Sequence, residues 1–306
     1  MTAHREGDRS MNYPKHGLAA DEAAAPERAD WTCDQHWERY TAAEHAVWKT
    51  LYERQMRLLA GRACDEFLAG LQHLPMSAAT IPDFAPLNRT LKQRTGWQVV
   101  AVPGLVPDEV FFDHLAHRRF PAGRFIRRPE QLDYLEEPDV FHDVFGHVPL
   151  LMHPIIADFI QAYGEGGLRA QRLGYLPQLA RLYWYTIEFG LVQQPNGLRL
   201  FGAGIASSFT ESQFCLDSDS PHRVAFELER VLRTRYRIDD FQETYFVLRD
   251  LPQLLELTAI DFAPLYAHIA TLSELAPGEL LAKDQLLQRG HQRKARPGAE
   301  PIQAEN

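Results

Sequence analysis

The chain has 306 residues, 45% of them hydrophobic, and a formal net charge of -9. That is enough apolar material for a sizeable core in one large or two small domains, while an acidic pI near 5.8 excludes a general binder of nucleic acid. No run approaches the roughly 18 apolar residues of a membrane span, and Cys33, Cys64 and Cys215 form no CxxC pair or even disulfide framework, which predicts a reducing cytoplasm.

In chain order, residues 1–28 lack apolar residues to pack and carry no apolar signal core, so they are expected to be a disordered tail. A single folded domain is expected over 29–287, followed by a second disordered tail over 288–306. Ala42 to Leu71 carries apolar residues at three- and four-residue spacing, which predicts one or two amphipathic helices. WQVVAVPG, LRLFGAG and TYFVLRD are short strand-like runs. Pro154 is expected to open a helix through IIADFIQAYG, and Pro177 a long buried one through QLARLYWYTIEFGLV. Pro221 is expected as the first residue of a helix over HRVAFELERVLR. The fold class predicted is mainly α with small β elements, with active groups projecting from helices into a central cavity. Neither end carries heptads, so a monomer is expected.

EEPDVFHDVFGHVPLL places His142 and His147 five residues apart. On an α-helix residues five apart diverge by about 140°, so the pair cannot clamp one ion from an unbroken helix as HExxH does. If the helix carrying His142 loosens at Gly146, ahead of Pro149, His147 can turn back towards the same point. A bare pair of this kind is more often two helix-end imidazoles bonded to backbone carbonyls. Glu188 changes the balance. It lies among Leu182, Tyr183, Trp184, Tyr185, Ile187, Phe189 and Leu191, and a carboxylate buried there must be ion-paired, for example with Arg181, or metal-bound. Two histidines and a carboxylate form the facial triad of non-haem Fe(II) oxygenases. Zinc could use the same set, as in His₂Glu hydrolases.

Three stretches, EEPDVFHDVFGHVPLL, LYWYTIEFGL and FGAGIASSFTESQFCL, occur in this order and spacing, and in them the chain resembles the aromatic amino acid hydroxylases. These are tetrahydropterin-dependent iron monooxygenases acting on phenylalanine, tyrosine or tryptophan. The likeness covers about residues 31 to 251, and the short chain is most similar to the bacterial members that act on phenylalanine. The resemblance implies one catalytic domain with iron in a central cavity, using Fe(II), a tetrahydropterin and O₂ to hydroxylate a small-molecule amino acid. No nucleic acid or membrane partner is expected.

The resemblance also implies roles for residues. His142, His147 and Glu188 would hold iron. Arg127 would hold the substrate carboxylate, a bidentate task suited to a planar guanidinium, with Asp139 orienting it. Pro138, His142 and Trp184 would wall the substrate ring, and Ser207 would lie near the substrate and donate a hydrogen bond to the first histidine. Gly104, Leu105 and Val106 would face the pterin edge, Phe111 would stack on its ring, and Asp143 and Tyr183 would flank it. Leu135 stands where animal members have threonine. Ser208 and Glu211 are expected instead to form a capping box at a helix start.

Overall fold

The computed structural model describes residues 28–133 and 137–291. The expected tails over 1–27 and 292–306, and Leu135, lie outside the described residues. Helices dominate. Ala42–Leu59 and Asp65–His73 are two helices, the first started by a capping box in which Thr41 and Glu44 satisfy each other's backbone N–H groups. The longest helix is Pro154–Leu173, with proline in the first turn, where its missing N–H costs nothing. Among the described residues no single helix is long and apolar enough to cross a membrane.

Seven short strands complete the fold among the described residues. β1 (Gln98–Val102) and β2 (Arg119–Gly123) pair in parallel, with the helix Asp108–Ala116 as their crossover. The other five form one sheet: β3 (Leu191–Gln194), β4 (Gly197–Leu200), β5 (His222–Ala225), β6 (Thr244–Leu248) and β7 (Leu286–Gln288), in spatial order β4-β3-β6-β5-β7. TYFVL and QVVAV therefore form strands as expected. LRLFGAG does so only in part, because the backbone turns into a short helix at Ala203–Ala206.

Two expected helices differ. Pro221 does not open one: His222–Ala225 is β5, wedged between parallel β6 and antiparallel β7. Central-strand pairing and burial override the local helical pattern there. The helix starts only at Leu228, where the Glu227 carboxylate caps the N–H groups of Glu229 and Arg230. The helix near Pro177 also stops short, running from Leu176 to Tyr183 before its last turn widens over Trp184–Glu188; Leu191 and Val192 belong to β3. At the C-terminal side the fold passes the expected edge at 287. Gly290 N–H donates to His222 Nδ1 (2.8 Å), and His291 N–H to the Asp219 carbonyl (3.1 Å).

The core joins both halves of the chain. Trp48 meets the edge of Phe141 at 5.3 Å, and Phe141 stacks on Phe145 at 4.7 Å, all three fully buried. Burying such rings contributes about 1.5–3 kcal/mol each. They anchor the segment that also carries His142 and His147.

One buried histidine makes the core sensitive to acid. His114 Nε2 donates to the Asp30 carbonyl (2.8 Å), and Nδ1 accepts from Arg119 Nε (2.9 Å), so the ring is neutral. Burial holds its pKa below the ordinary value, and the Arg119 charge acts in the same direction. The folded state therefore binds fewer protons than the unfolded one. The stability this provides is complete above the unfolded pKa of about 6.5 and is lost as pH falls below it. Melting temperature is expected to drop between about pH 7 and pH 5. His114→Gln keeps a donor and an acceptor without a titrating ring, and should flatten that limb. An identical slope in both proteins would clear His114 of the effect.

Candidate metal centre

His142 and His147 lie on one wide turn. Phe141–His147 is π-helical, and Val148–Leu151 continues it as an α-helix. In a π-helix each N–H bonds five residues back, so residues five apart come onto nearly one face. That resolves the His-x4-His spacing by a loosened helix that includes Gly146. The glycine has another reason: a Cβ there would sit 2.9 Å from the Ala203 carbonyl oxygen, on the segment packed against the turn. Phe141 and Phe145, four apart, go to the core while the histidines go to the site.

Glu188 ends a second π-helical turn, Trp184–Glu188. Its neighbour Gly204 is required small, since a Cβ would lie 2.9 Å from Glu188 Oε2. Arg181 is not its partner, being bonded instead to Glu274 and the Leu232 carbonyl. Glu188 Oε1 is 3.1 Å from His147 Nε2, and Oε2 is 3.7 Å from His142 Nε2. One ligand atom from each of the three residues lies within 4.8 Å of the others.

Hydrogen bonds outside this cluster assign the tautomer of His142. Ser207 Oγ gives its proton to the Ala203 carbonyl (2.8 Å), so at 3.0 Å it accepts from His142 Nδ1–H and is not the expected donor. The His142 lone pair is then on Nε2, facing His147 Nε2 at 3.2 Å and the Glu188 carboxylate. Burial, opposed by Glu188, pulls the His142 pKa down to about 4, so the ring is neutral at pH 7. His147 is held by packing, with Phe120 4.8 Å and Tyr183 6.2 Å away between ring centroids. Burial alone would raise Glu188, but the two histidines bring its pKa below the ordinary value. A lone pair, a carboxylate and a second imidazole nitrogen crowded at one buried point fit a divalent cation, which satisfies all three at once.

Two of the other expected residues are tied to the turn that carries the first histidine. Arg127 and Asp139 form a buried pair: Nε and Nη2 of the arginine each donate at 2.9 Å, one to each carboxylate oxygen, and Arg127 N–H adds a third bond of 2.9 Å. Asp139 is fully buried and also accepts the His142 N–H (3.0 Å), so it ties the arginine to the turn carrying the first histidine. Burial acts to raise the Asp139 pKa, but Arg127 and these N–H groups hold it below the ordinary value. Arg127 also lines a cavity of ≈ 310 Å³ with Phe125, Pro103 and Glu137. Pro138 is half-buried beside Asp139, and Trp184 is 8% exposed.

Gly104, Leu105 and Val106 form the loop between β1 and the following helix, with Leu105 47% exposed. Phe111, on that helix, meets Tyr183 edge-on at 6.1 Å, and Tyr183 in turn faces His147. A continuous aromatic path thus runs from the loop to the histidines. Asp143 Oδ2 accepts the Gly123 N–H at 2.7 Å. Burial, reinforced by Asp139 and Glu188, pushes its pKa well above the ordinary carboxylate value. Of the expected capping box only half forms: Ser208 Oγ accepts the Glu211 N–H (3.3 Å), while the Glu211 carboxylate turns inward to Tyr245 and Gln242. Tyr236 and Gln242, both against Trp184, have no signal in the local sequence because their partner lies more than 50 residues upstream.

Residues 35–262 match the biopterin-dependent aromatic amino acid hydroxylase family. The phenylalanine-4-hydroxylase of Caulobacter vibrioides is 61% identical over 271 residues, covering 89% of this chain and 92% of the relative. That of Chromobacterium violaceum is 57% identical, covering 85% of this chain and 88% of its own. The crystal structure of the Chromobacterium enzyme with iron and phenylalanine bound aligns with a TM-score of 0.81 at 56% identity, covering 85% of this chain and 94% of that one. Its cobalt-bound form aligns with a TM-score of 0.83 at 57% identity, over 84% of this chain and 93% of that one.

Proposed function

This chain belongs to the family of biopterin-dependent aromatic amino acid hydroxylases, and from that premise we propose that it is a phenylalanine 4-monooxygenase with a site built from the residues above. It converts L-phenylalanine to L-tyrosine with O₂ and a tetrahydropterin at a non-haem Fe(II). Zinc hydrolysis on the same ligands is set aside with the family assignment. The observation that carries the site is the convergence of His142, His147 and Glu188 within 4.8 Å on two π-helical turns. These three would hold the iron, leaving one side of it for substrate, pterin and O₂.

Once bound, Fe(II) and the tetrahydropterin supply the electrons that split O₂, and one oxygen atom enters the aromatic ring. The protein binds, orients and keeps dry. Ser207 holds the His142 ring with Nε2 towards the metal. Arg127, pre-aligned by Asp139, keeps Nη1 for the amino acid carboxylate. Pro138, His142 and Trp184 form the apolar wall of the substrate ring and exclude water from it. Gly104, Leu105 and Val106 would take the pterin edge through their backbone, Phe111 its ring face, and Asp143 and Tyr183 its flanks. The aromatic path from Phe111 to His147 supports that assignment.

The free, buried thiols of Cys64 and Cys215 support a reducing cytoplasm. The enzyme acts as a monomer, a reading that analytical ultracentrifugation at working concentration checks. The substrate is tested by product analysis with Fe(II) and tetrahydropterin. Phenylalanine is expected to yield tyrosine with a kcat/KM at least about tenfold above that for tyrosine or tryptophan, the discrimination one mismatched group in a pocket provides. Preferential turnover of tryptophan would overturn the substrate assignment and leave the family intact.

A further inference from the structure

Trp184 is held on three sides. The Tyr236 ring stacks on it at 4.2 Å with only 13° between planes, and Phe189 lies 4.6 Å away. Its indole N–H donates to Gln242 Oε1 at 2.9 Å. Gln242 is 4% exposed and comes from the segment just before β6, 58 residues downstream of the tryptophan.

The Gln242 amide cannot flip. An indole N–H only donates, and the Arg237 carbonyl, which takes Gln242 Nε2 at 3.0 Å, only accepts. The segment is pinned as well. Gln242 N–H lies 3.4 Å from Glu211 Oε1, the same oxygen that accepts the Tyr245 hydroxyl. This gives the buried Glu211 carboxylate a task outside its helix cap. A tryptophan serving only as core filling needs its N–H satisfied once, by any carbonyl. Here a buried side-chain amide, oriented from both ends, fixes the indole in its plane while the stacked Tyr236 ring fixes it face-on and the tilted Phe189 ring packs beside it. The residue so fixed begins the π-helical turn that ends in Glu188.

We propose that Gln242 is a positioning residue for the substrate ring, acting through Trp184. The inference rests on the reading of Trp184 as part of the substrate wall. By setting the plane of the indole, Gln242 sets where the phenylalanine ring lies relative to the metal. Without the amide acceptor the indole can tilt about its remaining stacking contacts, and the substrate ring is held less well and oxidised less often per pterin consumed.

The test is a double-mutant cycle on the iron-loaded full chain. Gln242→Leu keeps the volume and removes the acceptor. It is expected to raise the KM for phenylalanine about fivefold, the effect of one net hydrogen bond, and to lower the tyrosine formed per tetrahydropterin oxidised. Iron content and the KM for pterin should not change. In a Trp184→Phe background, which has no indole N–H, the same substitution should change neither quantity further. Should Gln242→Leu fail to fold, Gln242→Asn serves, since it keeps an amide in the core but is one methylene too short to reach the indole. An unchanged KM and coupling ratio, or equal effects with and without the Trp184 indole, would overturn the proposal. If the unsubstituted enzyme forms no tyrosine, the proposed function fails instead, so the two failures are distinct.

Discussion

Glu188→Ala is expected to yield a folded protein whose iron affinity is at least about 100-fold lower, since loss of a direct ligand costs more than the 10- to 100-fold typical of an outer-shell partner. Tyrosine formation should fall below detection. The fold survives because the partners left behind carry no stranded charge. Burial keeps His142 neutral, and the substitution removes a carboxylate without leaving an unpaired one. The side chain sits at the end of its π-helical turn, beside Gly204 of the helix Ala203–Ala206, so truncation opens a small space and loses only the carboxylate's own polar contacts. Two measurements check this: iron per chain after gel filtration, and the rise in melting temperature on adding Fe(II), which should vanish in the variant. Full occupancy with normal turnover would remove Glu188 from the ligand set.

Arg127→Lys is the second large effect. Lysine keeps the charge but cannot make the two parallel bonds to Asp139 and still present a donor to the substrate. Losing part of a charge-assisted pair in a desolvated pocket should cost about 1.5–3 kcal/mol. At about 1.4 kcal/mol per tenfold this predicts a fall in kcat/KM on the order of 10- to 150-fold. Iron content should hold, because the lysine still neutralises Asp139. Arg127→Met should behave differently. Asp139 is fully buried and also receives the His142 N–H, so removing its only cationic partner among the described residues should destabilise the protein by about 3–5 kcal/mol. It should also weaken iron through the turn bearing His142. Normal phenylalanine kinetics in Arg127→Lys would sink the carboxylate-binding role, and loss of iron in that same variant would make the arginine structural.

Much of the site was legible because its chemistry lies in residue types at short range. His142, His147 and Glu188 sit in stretches whose composition allowed few alternatives: a carboxylate among seven apolar residues had to be paired or metal-bound. The roles of Gly104 and Phe111 came from the family resemblance alone, since a phenylalanine after a glycine-containing turn is by itself an ordinary core residue. The breaker residues were legible only in part. The helix does widen around Gly146, yet that residue must be small because Ala203 approaches it closely, and Pro221 precedes a strand and not a helix. In both cases the signal was real, but its cause lay in a distant segment.

By itself, then, the sequence determined the mainly α character and the family. These depend on local composition and on motifs within a few turns of chain. Only the tertiary structure decided that a π-helical turn brings residues five apart onto one face, because hydrophobic anchoring of Phe141 and Phe145 must compete with α-helical bonding for that register. It alone decided that Arg127 is oriented by Asp139 through two bonds, and that Gln242 reaches Trp184 across 58 residues. Hydrogen bonds between buried polar groups are directional and short-ranged, so they form only after packing has excluded water and brought their partners together.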